Sequence, residues 1–176
     1  AKLDSEILIS KVLGKKRETI FLNPEVYINK FSIDFFKSMI DERSKGKPIA
    51  YLIGKKDFWN NKFKINKNVL IPRPDTELLI EHALKLTKHK KGLRLLDIGV
   101  GSGCILLSIL KEKKDFFGTG IDISKNALEL CKINAFSLGL HNRVKFFKTN
   151  VDNFNYGKYD LIVSNPPYIS QIDLKN

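Results

Sequence analysis

The chain has 176 residues, with 31 Lys and Arg against 19 Asp and Glu, and so a formal net charge of +12. At 43% hydrophobic and 28% charged it has the composition of a folded protein, which excludes disorder as its main state. No apolar run approaches the roughly 18 residues that span a bilayer, which excludes a membrane-spanning helix, and the opening residues do not read as a signal peptide.

Residues 1–54 read as a small helical domain. Asp4 is expected to cap a first helix in which Ile7, Leu8, Val12 and Leu13 recur at helical spacing and which Gly14 closes. A second helix is expected from Ser32 to Lys45, with Ile33, Phe36, Met39 and Ile40 as its apolar stripe and Gly46 as its stop. Residues 55–71 change period: the turn-forming pair Asn60-Asn61 lies between two short extended runs, Phe58-Trp59 and Phe63-Lys64-Ile65, and predicts a β-hairpin connector. Val69-Leu70-Ile71 then leads into Pro72-Arg73-Pro74, whose prolines hold the preceding residues extended and make the connector stiff. Helix returns over 75–88, with Leu78, Leu79, His82 and Leu86 on one face.

From residue 93 strand and helix alternate. The short apolar run at 93–98 reads as a strand buried on both faces, 118–123, 144–148 and 159–164 as three further strands, and 104–111 and 125–138 as helices between them. That order predicts an α/β fold with a parallel, doubly wound, Rossmann-like sheet over residues 72–176. Asn176 follows Ser164 by only twelve residues, short of the further strands such a sheet usually carries. The C-terminus therefore reads as truncated, and this chain alone is expected to be weakly active or inactive.

The basic excess is spread out, +7 over residues 1–72 and +5 over 73–176, and only five of the 31 basic side chains are Arg. A solvated basic surface is the favoured reading; direct binding of a nucleic acid is the less favoured one. Cys104 and Cys131 cannot build a disulfide framework, so a reducing, cytoplasmic setting is expected, with both thiols serving as packing. His82, His89 and His141 lack metal-ligand spacing, and Trp59 reads as a packing anchor.

Three stretches carry chemistry. The first is Asp97-Ile98-Gly99-Val100-Gly101-Ser102-Gly103, where glycines after a buried strand allow a sharp turn and close approach of a ligand. A dinucleotide fingerprint needs glycine at position 104, where this chain has Cys104. The pattern Asp-x-Gly-x-Gly-x-Gly instead resembles the first motif of class I S-adenosylmethionine methyltransferases. The second is Asp122 at the tip of the next strand, placed to accept both hydroxyls of a ribose, followed after the third strand by Asn150-Val151, where such enzymes hold the adenine. The third, Asn165-Pro166-Pro167-Tyr168, resembles the signature of enzymes that methylate a planar amide or amino nitrogen. The Asn165 side-chain oxygen and the Pro166 carbonyl can accept both N–H bonds of such a nitrogen, Pro167 stiffens the loop, and the Tyr168 ring offers a face to a flat group.

Taken with Gly46-Lys47-Pro48-Ile49-Ala50-Tyr51-Leu52-Ile53-Gly54, Phe58-Trp59 and Ile71-Pro72-Arg73-Pro74-Asp75-Thr76-Glu77, nearly the whole chain is similar to the release-factor glutamine methyltransferase family, the PrmC/HemK type. The resemblance implies S-adenosylmethionine as cofactor, with S-adenosylhomocysteine as its product, and N5-methylation of the glutamine in the Gly-Gly-Gln loop of peptide chain release factors, a step in translation termination. Residues 1–54 would help hold the factor. The Asn-Pro-Pro-Tyr tetrad is shared with N6-adenine methyltransferases of DNA and RNA, which is the alternative reading.

Overall fold

A computed structural model describes residues 2–23 and 25–166. The chain divides into two compact units at Lys55–Lys56. Among the described residues no helix is long and apolar enough to cross a membrane.

The first unit holds four helices, α1 (Lys2–Leu13), α2 (Arg17–Leu22), α3 (Lys30–Ser44) and α4 (Ile49–Ile53). Leu8, Met39 and Ala50 are its buried apolar residues, one each from α1, α3 and α4. Asp4 is not a cap, because α1 already begins at Lys2; the carboxylate lies in the first turn and pairs with Arg43 of α3 at 2.7 Å. The cap on α3 is Asn29, whose side chain accepts the Ser32 N–H at 2.8 Å.

The second unit opens with a two-stranded hairpin, β1 (Lys55–Phe58) and β2 (Asn61–Lys64). Its turn is Trp59-Asn60, at φ 46° and 56°, one residue earlier than the Asn60-Asn61 pair that the sequence suggests. Two positive φ values are what a type I′ turn needs to match the strand twist. Trp59 accepts this conformation with its backbone N–H on Glu77 Oε1 at 2.9 Å and its indole N–H on Glu112 Oε1 at 3.0 Å. Phe58 and Phe63 are buried, their rings edge to face with centroids 6.2 Å apart. A single 3₁₀ turn, Pro74–Thr76, leads into α5 (Glu77–Leu86). The buried face of α5 is Ile80 and Ala83, continued by Thr87, whereas Leu78 and Leu86 of the expected stripe are exposed.

The remainder alternates as predicted: β3 (Arg94–Ile98), α6 (Cys104–Glu112), β4 (Phe117–Asp122), α7 (Lys125–Ser137), β5 (Val144–Lys148) and β6 (Leu161–Ser164). The four strands form one parallel sheet in the order β5-β4-β3-β6. Ile98 is level with Ile121 and Ser164, and Asp122 with Lys148, so all four carboxyl ends share one edge. The chain steps outward through β3, β4 and β5, then returns to the other side of β3. A crevice opens where an α/β sheet changes direction in this way, at the carboxyl ends of β3 and β6. Behind the sheet, α6 buries Ile105 to Leu110 without a break. It packs so closely on β4 that a Cβ added at Gly118 would come within 2.8 Å of Leu106 Cδ1.

Candidate functional site

A cavity of about 410 Å³ lies at that crevice, between the carboxyl ends of the strands and the segment that follows the hairpin. It is lined by Ile98, Gly99 and Gly101 after β3, by Ile121, Asp122 and Ile123 around the end of β4, and by Thr149, Asn150 and Val151 after β5. Ser164, Asn165 and Pro166 close it from β6, Ala127 from α7, and Asn68, Val69 and Leu70 from the connector. Its size is within the range of small-molecule sites, and its wall is mostly apolar with a few convergent polar groups.

The turn after β3 is shaped by the three glycines in two different ways. Gly99 and Gly101, at φ 73° and 53°, line the cavity; a Cβ built on Gly99 meets nothing within 4 Å, and one on Gly101 meets only the Gly99 carbonyl at 3.8 Å. A side chain at either position would occupy cavity space. Gly103, at φ 81°, faces the interior instead, where a Cβ would come within 2.5 Å of Cys131 Sγ and 2.8 Å of Leu107 Cδ1. The backbone of the turn is pinned to β4, since the N–H groups of Gly99 and Val100 both donate to the Ile121 carbonyl, at 2.9 and 3.0 Å.

Asp122 joins this turn to the next. Its Oδ2 accepts the Gly101 N–H at 3.0 Å and its Oδ1 the Ser124 N–H at 2.8 Å. Each carboxylate oxygen keeps further acceptor capacity for a ligand hydroxyl. Asn150 is held by its own oxygen, which accepts the Asn153 N–H at 3.0 Å, and its Nδ2 donor points to no described partner. Asn165 donates from Nδ2 to Thr76 Oγ1 at 3.2 Å, and Ser164 Oγ donates to the Ile98 carbonyl at 2.9 Å, which ties the end of β6 to that of β3.

Asp97 is 1% exposed and lies two residues before Gly99. Its Oδ2 accepts a long bond, 3.3 Å, from the Leu106 N–H, and its Oδ1 has no partner among the described residues. Burial pushes its carboxyl up to about 7, against the opposing pull of the Leu106 N–H and with a small further push from the Asp122 charge. Burial likewise pushes the Cys104 thiol up to about 12, so that thiol is neutral packing near neutral pH.

Of the residues singled out from sequence, the cavity wall gathers Gly99, Gly101, Asp122, Asn150, Val151, Asn165 and Pro166. Asp97, Val100, Ser102 and Gly103 are not on it; Val100 and Ser102 are buried, and the Ser102 carbonyl accepts from Asn134 Nδ2 at 2.8 Å. Pro167 and Tyr168 lie outside the described residues. Sequence reasoning missed Asn68, Val69 and Leu70, which read only as connector. They are brought to the cavity by a buried amide: Asn134 of α7 accepts the Lys64 N–H at 2.8 Å and donates to the Lys64 carbonyl at 2.9 Å as well as to Ser102. One side chain thus locks β2, and the residues that follow it, to the glycine turn. The two-fold pairing of Asn134 with one backbone residue has no sequence signature.

Comparison with known proteins gives a consistent answer. Residues 74–176 match the family described as methyltransferase small domain, and residues 1–54 match the PrmC N-terminal domain. Similar proteins include the release factor glutamine methyltransferase of Buchnera aphidicola subsp. Schizaphis graminum, 42% identical over 169 residues, covering 96% of this chain and 60% of that protein. The protein of the same name from Leptospira interrogans is 41% identical over 173 residues, with 96% and 60% covered. A bifunctional methyltransferase of Rickettsia bellii is 36% identical over 196 residues, covering 96% of this chain and 35% of that protein. The chain spans three fifths or less of the length of these relatives.

Proposed function

Because the chain belongs to the methyltransferase small domain family, we propose that it transfers the methyl group of S-adenosylmethionine to the side-chain nitrogen of a glutamine, the one in the Gly-Gly-Gln loop of peptide chain release factors. The observation that carries this reading is that Asn165 and Pro166, suited to hold an amide –NH2, share one cavity wall with Gly99, Gly101 and Asp122, suited to hold a nucleoside. The names of the relatives support the choice of acceptor.

The residues present fit the cofactor. Space that a Cβ at Gly99 or Gly101 would fill admits a ligand against bare backbone. Asp122 would hold the ribose hydroxyls, Ile123 and Val151 would cover the base, and Asn150 would donate to it. The bound cofactor supplies an electrophilic methyl group on a cationic sulfur that leaves as a neutral thioether.

The chain's own task is to make a poor nucleophile react. An amide nitrogen delocalises its lone pair into the carbonyl group. Asn165 Oδ1 and the Pro166 carbonyl would accept its two N–H bonds, fix its orientation and draw electron density back to nitrogen; as the N–C bond forms the nitrogen gives up one proton to water, so that positioning and electrostatics supply the catalysis. The helical unit formed by residues 1–54 would hold the body of the release factor, and the two thiols without a disulfide partner suit a reducing, cytoplasmic setting.

Incubation with labelled S-adenosylmethionine, once with release factor and once with unmethylated DNA, tests the reading: label is expected in the protein, and label in the DNA alone would refute it. For the cofactor half of the site, Asp122→Ala is expected to weaken S-adenosylmethionine binding by about 100-fold, the loss of charge-assisted hydrogen bonds to a diol. Titration calorimetry reads this directly, and an unchanged affinity would remove Asp122 from the site.

A further inference from the structure

The geometry points to Thr76 as a positioning residue for Asn165, an inference that rests on the acceptor reading of Asn165 given above. Thr76 ends the 3₁₀ turn Pro74–Thr76, where its N–H donates to the Arg73 carbonyl at 3.1 Å. The turn stands on firm ground at both ends. Pro72 before it is buried, and Glu77 after it receives the Trp59 N–H of the hairpin turn at 2.9 Å. From that base the Thr76 hydroxyl oxygen accepts a hydrogen bond from Asn165 Nδ2 at 3.2 Å, across a sequence separation of 89 residues.

This contact does two things to the Asn165 amide. It fixes the plane of a side chain that otherwise rotates, on a loop that leaves the edge strand β6. It also engages one of the two Nδ2 hydrogens, while Oδ1, to which no described residue donates, keeps its acceptor capacity for an N–H of the incoming amide. Donation from Nδ2 polarises the Asn165 amide and makes Oδ1 the better acceptor, as in any chain of hydrogen bonds. Thr76 touches neither the acceptor nor the donor of the methyl group in this scheme. It acts through Asn165, so it should set the rate of transfer and leave cofactor affinity alone.

The test compares Thr76→Val, which keeps the shape and removes the hydroxyl, with Thr76→Ser, which keeps the hydroxyl, and with Asn165→Ala. Each is made in the full chain and assayed with release factor and labelled S-adenosylmethionine. Thr76→Val is expected to lower kcat about tenfold, the weight of one positioning hydrogen bond. Its S-adenosylmethionine affinity should stay within about twofold of the parent, again because the lost bond does not touch the cofactor. Thr76→Ser is expected to restore most of kcat. A Thr76→Val chain with the parent's kcat would overturn the inference, as would a Thr76→Ser chain as slow as Thr76→Val, or a loss of cofactor affinity in step with kcat. If Asn165→Ala abolishes transfer in that same experiment, only the role of Thr76 falls; if Asn165→Ala transfers normally, the acceptor reading falls with it.

Discussion

Asn165→Ala is expected to abolish methyl transfer to release factor, by about a thousandfold or more, while S-adenosylmethionine binds within a few-fold of its parent affinity. The size of the effect follows from the chemistry of the acceptor. An amide nitrogen has almost no intrinsic nucleophilicity, so transfer depends on the groups that orient it and oppose its delocalisation. Asn165 supplies one of the two acceptors assigned to that task, and alanine at this position leaves one acceptor instead of two and an acceptor nitrogen free to rotate. On the reading proposed above, the cofactor would keep Asp122, the open face of Gly99 and Gly101, and the apolar wall of the cavity. Single-turnover transfer and calorimetry on one preparation separate the two effects; loss of cofactor binding in proportion to loss of transfer would mean that Asn165 serves the nucleoside and not the acceptor.

The second large effect is on stability, and it comes from Asp97. Its carboxyl is raised from the ordinary value of 3.8 to about 7, chiefly by burial. A folded state that prefers the protonated acid gains from it fully at pH values below that of the unfolded chain's titration. As pH rises from about 4 to about 7 the unfolded chain releases its proton and the folded chain does not, so stability falls, at most by roughly 4 kcal/mol in total. Above pH 7 both states are ionised and the decline stops. Asp97→Asn titrates in neither state and is expected to lack this slope: between pH 4.5 and 6.5 the parent should lose about 1 kcal/mol per pH unit relative to the variant. Urea unfolding midpoints of both proteins, taken without cofactor across that interval, check it. Parallel pH profiles would show that the buried acid does not titrate with the shift described.

The sheet is legible in the sequence because β3 reads as a short apolar run and the segments after it alternate between extended and helical, even though β5, with Lys145 inside it and Lys148 at its end, has no buried residue. Val144–Lys148 was placed to the residue, and the other strands and helices of the sheet within about two residues. The helical unit was less so. Arg17–Leu22 makes fewer than two turns and carries no apolar period, so α2 has no signal to read. In α5, a stripe of large leucines pointed to the wrong face. The inward side is built from Ile80, Ala83 and Thr87, two of them small, while Leu78 and Leu86 are 57% and 71% exposed. The hairpin turn was off by one residue because an Asn pair is a strong turn signal, and nothing local announces that a tryptophan at φ 46° will be held there by Glu77 and Glu112.

The cavity divides along the same line. Gly99, Gly101, Asp122, Asn150 and Asn165 each lie at or just beyond the carboxyl end of a strand, and strand order alone brings those ends together. Within the glycine turn the sequence could not tell the open face from the packed one; that distinction rests on Cys131 and Leu107, which crowd Gly103 from other elements. The contributions of Thr76 and of Asn68 to Leu70 depend on contacts made across more than sixty residues, by the Asn165 amide in one case and the Asn134 amide in the other. Polar contacts of that range leave no periodicity behind.

The central claim is that Asn165 and the nucleoside cavity together deliver a methyl group to a glutamine side chain, and mapping the modified atom tests it most directly. After incubation of S-adenosylmethionine and release factor with the chain extended to the length of its relatives, fragmentation mass spectrometry of the Gly-Gly-Gln peptide should find one added methyl on the glutamine amide nitrogen, and none when that extended chain carries Asn165→Ala. A methyl group found on another residue, or on this glutamine in equal amount with the Asn165→Ala chain, would contradict the account.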